Sequence, residues 1–307
     1  MNGLTLNINL KRLKETLDRS AEIGAVSETG LSRLALSKED KEMRDLFKKW
    51  MEEAGLHVRI DDFGNMYGRR EGKTELPPVL IGSHLDTQPG GGRFDGILGV
   101  LSALEVIRTL NDHNVETIRP IEIVNFTNEE GARFEPPMLG SGGMSGVLDK
   151  QYVYNIRDRE GKRFGDELEK IGYKGEQSHR AKEIHSYIEL HIEQGPVLEH
   201  NNMSIGAVKG IQGMAWLEVT VRGESDHAGT TPMSMRRDAL VAASEMIIGI
   251  EDIGKQLDAH TTVGRISVRP NVANCIPEEV VFSVDIRHFE DTTKNEAIHK
   301  IKQTVQA

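Results

Sequence analysis

Acidic and imidazole side chains recur in this sequence where apolar runs give way to polar or glycine-rich loop. Residues 78–81 lead into Gly82-Ser83-His84-Leu85-Asp86, and Gly92-Arg93-Phe94-Asp95-Gly96 follows. Residues 121–126 lead into Thr127-Asn128-Glu129-Glu130-Gly131, and a third run beginning at Tyr187 carries His191 and Gln194. His84 and Asp86 are two apart on a strand, so they share a face; one can bind a metal while the other orients a ligand imidazole. Asp95 lies between Gly90-Gly91-Gly92 and Gly96, in a loop able to fold tightly against that strand. Its two oxygens suit it to bridge two cations. Adjacent Glu129 and Glu130 repel each other at a strand end, and a dication on one removes that penalty. The other is then available as a general base toward water. His191 reads either as a ligand or as a hydrogen-bonded core residue. Together these groups point to a two-metal hydrolytic centre.

An open α/β sheet is the architecture that gathers such groups at the carboxyl edge of its strands. Met43, Leu46, Phe47, Trp50, Met51 and Ala54 predict an amphipathic helix over 39–54, with Gly55 as its left-handed cap. Ile97, Val100, Leu101, Leu104 and Ile107 predict a second helix reaching about residue 110. Apolar strands alternating with helices imply an α/β fold whose mostly parallel sheet is flanked by helices. Beyond Gly210 the texture changes. Leu217, Val219 and Val221 alternate, Ala239 to Ile250 show helical spacing, and Ile266, Val268 and Val280 to Ile286 alternate again before a last helix carrying Ala297, Ile298, Ile301 and Val305. That β-α-β-β-α order predicts a smaller α+β lid domain over 211–307, stopping before a last strand, joined by a short hinge to a catalytic domain over 1–210. Trp216 is expected in the core of the smaller domain. The glycine-rich stretch 139–146 lacks a closing Lys-Ser/Thr and is expected as a tight loop, not a phosphate cradle.

With 307 residues the chain exceeds the size at which single cores stop growing, roughly 250 to 300 residues. Its 48 acidic against 38 basic residues give a net charge of -10, which argues against nucleic acid or an anionic membrane as a partner. A single cysteine, Cys275, excludes an internal disulfide and a thiolate cluster, so a metal here falls to His, Asp and Glu, a set suited to Zn, Mn, Co or Ni. The first residues lack a basic start before an apolar core, and no run suits a bilayer, so the expected location is the cytoplasm.

Gly82-Ser83-His84-Leu85-Asp86-Thr87, Phe94-Asp95-Gly96, Asn128-Glu129-Glu130-Gly131-Ala132-Arg133-Phe134 and Glu189-Leu190-His191-Ile192-Glu193-Gln194-Gly195 resemble the motifs of the N-carbamoyl-L-amino-acid hydrolases, grouped with allantoate amidohydrolase and β-ureidopropionase among the two-metal aminopeptidases and deacylases. Asp226-His227-Ala228-Gly229, Pro270-Asn271-Val272-Ala273-Asn274 and Asp285-Ile286-Arg287 extend the likeness. The resemblance implies a zinc-aminopeptidase-like fold in which His84, Asp95 and His191 hold one metal and Asp95 bridges to a second on Glu130. It implies Glu129 as the base, Asp86 behind the ligands, and Gln194, His227, Asn274 and Arg287 on the substrate, with the arginine taking a carboxylate. Divalent metals bring the pKa of bound water toward about 7. Donors such as His227 and Asn274 are each worth about 2.7 to 4 kcal/mol to an oxyanion. The resemblance also implies a homodimer through the lid. The family's second metal takes a further histidine from a segment near its C-terminus that this chain ends before, so the second site is expected to be weak. The expected activity is release of ammonia and carbon dioxide from N-carbamoyl-L-amino acids. The alternatives are allantoate or β-ureidopropionate hydrolysis, peptide or acyl-amino-acid cleavage, and an inactive metal-binding protein.

Overall fold

The computed structural model describes residues 6–306. The chain forms two compact units, one ending at Asn201 and the other beginning at Asn202.

In the first unit, helix α1 (Leu10–Ser20) precedes α2 (Lys38–Glu53), whose first turn is capped by Ser37 Oγ accepting the Asp40 N–H at 3.2 Å. Met43, Phe47 and Met51 lie fully buried along one face of α2, and the chain leaves the helix at Gly55 with φ +78°, as the apolar spacing and the glycine predict. Strands β1 (His57–Ile60), β2 (Met66–Arg70) and β3 (Val79–His84) follow, then α3 (Ile97–Asp112), β4 (Ile121–Phe126), the short α4 (Leu139–Met144) and β5 (Ser186–Ile188). The five-stranded sheet runs β1-β2-β4-β3-β5. Strands β4, β3 and β5 are mutually parallel, with Ile81 opposite Ile123 on one side and Ile188 on the other. The β1–β2 hairpin extends them antiparallel, so the sheet is mixed. Its turn is built on Asp61, whose carboxylate accepts the N–H groups of Phe63 (2.9 Å) and Asn65 (3.0 Å) and the Tyr67 hydroxyl (2.9 Å). The main core packs α2 and α3 on the sheet through Met43, Phe47, Val100, Leu104, Ile107 and Ile123.

The glycine-rich segment expected as a loop is helix α4. Glycine disfavours a helix in isolation, but here it permits close approach. A Cβ on Gly140 would meet Asn65 Oδ1 at 2.2 Å and the Thr127 nitrogen at 2.6 Å, and one on Gly143 would meet the Phe63 ring at 2.4 Å.

In the second unit, β6 (Gly213–Arg222), α5 (Ala239–Leu257), β7 (His260–Thr262), β8 (Ile266–Arg269), β9 (Glu279–His288) and α6 (Asp291–Thr304) form an antiparallel sheet in the order β8-β9-β6, with β7 also on β9. Val221, Phe282, Val284 and Ile286 pack against Ala239, Ala243, Ile250 and Ile301. Trp216 is not in this core. Leu217, Val219 and Val221 turn toward the helices, so strand alternation sends Trp216 to the other face, where it is 41% exposed.

One buried charge ties α2 to the carboxyl end of β4. Arg44 Nε donates to Asp40 Oδ2 at 2.9 Å, Nη1 to the Gly64 carbonyl at 2.8 Å and Nη2 to Thr127 Oγ1 at 3.3 Å. Removing one member of such a pair strands the other charge. Arg44→Met is therefore expected to destabilise the fold by about 3–5 kcal/mol, and the double variant Asp40→Leu/Arg44→Met to recover much of that. Denaturant midpoints test this; equal losses in the single and double variants would contradict it.

Candidate metal centre

The carboxyl ends of β3 and β4 and the segment after β5 converge. His84 is the last residue of β3, and its ring lies against the backbone of Gly96, where a Cβ would sit 2.4 Å from the imidazole. Gly96 also has φ +66°, which favours glycine. Asp95 therefore comes from a loop that only a glycine lets close over the histidine. After β4 the chain turns at Asn128, in the left-handed region at φ +54°, and delivers Glu129 and Glu130. Asparagine is among the few side chains that adopt this conformation readily.

His84, Asp95 and His191 each offer one ligand atom, all within 4.8 Å of one another. That is close to the roughly 4 Å that two bonds of about 2.0–2.2 Å to one ion span. His84 Nδ1 lies 2.9 Å from the Asp86 carbonyl oxygen, and His191 Nδ1 lies 2.8 Å from that of Ile192. Each Nδ1–H is thus committed to a main-chain acceptor, which leaves the Nε2 lone pair for a cation. Nε2 of His84 is 3.4 Å from Glu129 Oε2, and Nε2 of His191 is 3.2 Å from Asp95 Oδ1. Glu130 stands beside this triple but outside it. Its Oε2 accepts from Gln88 Nε2 at 2.8 Å.

The Asp86 carboxylate accepts the N–H groups of Glu129 and Glu130, both at 3.2 Å, so its side chain holds the glutamate loop while its carbonyl orients His84. Burial pushes the Asp86 carboxyl up to about 7. His191 is pushed up to about 9, chiefly by the Asp95 carboxylate. His84 is raised because Asp86 and Glu129 outweigh its burial, and burial raises Glu130. Asp95 is lowered, its burial outweighed by His191 and His84. Carboxylates thus surround two imidazoles, an environment suited to positive charge. Asp95 Oδ1 and Glu130 Oε1 are buried and accept no hydrogen bond, which a divalent cation would correct. The donor set fits a metal.

Gln194, with φ +54°, donates from Nε2 to Asp95 Oδ2. In the second unit His227 and Asn274 are neighbours, since Ala228 N donates to the Asn274 carbonyl at 2.9 Å. His227 Nδ1 accepts the Gly229 N–H at 3.0 Å, which leaves its Nε2–H as a donor. Arg287 pairs with Asp285, Nη2 to Oδ2 at 2.8 Å, and this raises its pKa.

Sequence reasoning missed the groups behind the centre. Buried Asn65 donates to Asp61 Oδ2 (2.8 Å) and the Gly140 carbonyl (3.0 Å) and accepts the Thr127 N–H (3.0 Å), so it fixes the end of β4. Buried Arg33 donates from Nε to the Leu85 carbonyl at 3.2 Å and from its main chain to Thr87 Oγ1 at 2.9 Å, fastening the loop around Asp86. Burial lowers the Arg33 guanidinium to about 10. Gln88 alone carried a signal, lying two residues beyond Asp86.

Residues 80–300 match the profile of peptidase family M20/M25/M40. The chain is 46% identical over 288 residues to N-carbamoyl-L-amino-acid amidohydrolase of Rhizobium meliloti, across 93% of this chain and 69% of that protein. It is 37% identical over 301 residues to allantoate amidohydrolase of Escherichia coli strain K12, across 96% of this chain and 73% of that protein. The crystal structure of an amidase of the hydantoinase/carbamoylase family from Burkholderia vietnamiensis superposes with a TM-score of 0.93 at 44% identity, covering 99% of this chain and 75% of that one.

Gly96→Ala is expected to push the His84 ring aside and weaken divalent-ion affinity by about 10-fold or more, within the range seen when support for a ligand is removed. Chelator competition measures this. Unchanged affinity would mean that the ring has room the packing denies it.

Proposed function

We propose, from the premise that this chain belongs to peptidase family M20/M25/M40, that it is a metal-dependent amidohydrolase removing the carbamoyl group of N-carbamoyl-L-amino acids to leave amino acid, ammonia and carbon dioxide. The observation that carries the reading is the triple of His84, Asp95 and His191, whose ligand atoms lie within 4.8 Å of one another while a main-chain carbonyl holds Nδ1 of each imidazole. The ligands are His84, Asp95 and His191 for one ion, with Asp95 and Glu130 for a second. Bound divalent ions supply Lewis acidity toward the ureido carbonyl and make water a stronger acid. Zn, Mn, Co and Ni suit this imidazole and carboxylate set.

Glu129 is the general base, supported by its half-exposed carboxylate beside the His84 ring. Asp86 holds the two glutamates through their N–H groups. His227, through its Nε2–H, and Asn274 are the oxyanion donors. Gln194 contacts substrate from beside Asp95, and Arg287 takes the substrate carboxylate in place of Asp285. The same proposal includes a catalytic domain joined to a smaller domain that forms the contact of a homodimer, and a cytoplasmic location. Among the described residues no helix is long and apolar enough to cross a membrane. A second reading, allantoate as the substrate, is favoured by the likeness to the Escherichia coli enzyme; Arg287 suits either acid.

Ammonia release from N-carbamoyl-L-amino acids and allantoate, with added Mn or Zn, separates the two readings. Faster turnover of the carbamoyl amino acids is expected, and faster turnover of allantoate would favour the second. Glu129→Gln is expected to lower kcat by about 10²–10⁴-fold while metal content holds. Turnover retained in that variant would remove Glu129 from its role.

A further inference from the structure

The strand leading to His191 leaves the sheet early. Among the described residues β5 pairs with β3 alone, from Ser186 opposite Val79 to Ile188 opposite Ile81, and the ladder stops there. Gly82, Ser83 and His84 continue on β3, paired to β4 only. His191 thus reaches the centre with no backbone ladder between its segment and β3, although two imidazoles on one ion require a fixed separation. Side chains replace the missing ladder. The Ser83 hydroxyl donates to Glu189 Oε1 at 2.5 Å, while the Tyr187 hydroxyl lies 2.6 Å from Glu189 Oε2 and 3.1 Å from the Gly82 carbonyl oxygen. The segment is also pressed onto α3, since the Leu190 carbonyl lies 2.5 Å from where a Cβ on Gly99 would be.

We propose that Glu189 is a positioning residue: its carboxylate, gripped by Ser83 and Tyr187, latches the segment bearing His191 to the strand bearing His84 and so sets the spacing of the two imidazoles. The proposal rests on the metal-dependent reading above. Both partners of Glu189 are hydroxyl donors, and a carboxylate is acceptor-only with two oxygens, so it takes both at once. Such groups behind the ligands govern affinity by holding geometry, and their loss typically costs about 10–100-fold in metal binding. Glu189 could instead act by adding one more negative charge near the ion. Glutamine separates these roles. Its carbonyl accepts from Tyr187 and its amide donates to a Ser83 hydroxyl turned the other way, so the latch survives without the charge.

The test is Zn²⁺ affinity of the metal-stripped full chain, measured by competition with a chromophoric chelator, alongside thermal unfolding of the same samples. Glu189→Ala is expected to weaken binding about 10–100-fold with little change in unfolding midpoint, because β5 is an exposed edge. Glu189→Gln is expected to restore affinity to within about threefold of the unaltered chain, within the context spread of single hydrogen bonds. Wild-type affinity in Glu189→Ala overturns the latch, and Glu189→Gln as weak as Glu189→Ala assigns the effect to charge and overturns it too. Ser83→Ala and Tyr187→Phe each remove one hydroxyl and keep the test decisive if Glu189→Ala does not fold; wild-type affinity in both overturns the latch. An unaltered chain that takes up no ion overturns the metal-dependent reading and the latch with it, whereas uptake indifferent to Glu189 overturns the latch alone.

Discussion

Crowded negative charge at the carboxyl edge of the first sheet is the constraint around which this region is organised. Asp86, Asp95, Glu129 and Glu130 lie about two imidazoles, and like charges so close cannot all remain ionised without compensation. The protein compensates unevenly. Asp86 receives two main-chain N–H groups, Glu130 receives the Gln88 amide and Asp95 receives that of Gln194. Asp95 Oδ1 and Glu130 Oε1 remain buried without a hydrogen bond, and both histidines turn Nε2 toward a carboxylate, His84 toward Glu129 and His191 toward Asp95. These groups share one need, a divalent cation.

That arrangement requires a rigid backing, because carboxylates that repel would otherwise spread apart. Arg44 and Asn65 grip the end of β4 at Thr127 from two directions, one from helix α2 and one from the turn of the β1–β2 hairpin. Arg33 fastens the loop that follows His84 through the carbonyl of Leu85. Glycine does the complementary work of allowing approach: Gly96 lets Asp95 close over the His84 ring, and Gly140 lets α4 press on Thr127. Hydrogen bonds fix the strand ends and the missing Cβ atoms let the loops reach them, so fold and site form one construction.

Much of the ligand set was legible in the sequence because strand ends advertise themselves. An apolar run stopping at a histidine or a glutamate pair is a local signal, and His84, Asp95 and His191 are brought together as it suggests. Helices α2 and α3 were equally plain from their apolar spacing. Asn65 and Arg33 were not, since they are single polar residues whose partners lie far along the chain and carry no periodicity. Composition misleads at α4, where glycine signals close packing and not a loop, and Trp216, expected in the core of the smaller domain, is sent outward by strand alternation. The short ladder of β5 was hidden for a related reason: an apolar run gives no sign of where its pairing stops.

Anomalous diffraction from crystals grown with Mn²⁺ or Zn²⁺ tests the central claim most directly. The account predicts a peak about 2.0–2.2 Å from Nε2 of His84, Nε2 of His191 and a carboxylate oxygen of Asp95. Strong peaks elsewhere, with those three groups left uncoordinated at saturating metal, would contradict it.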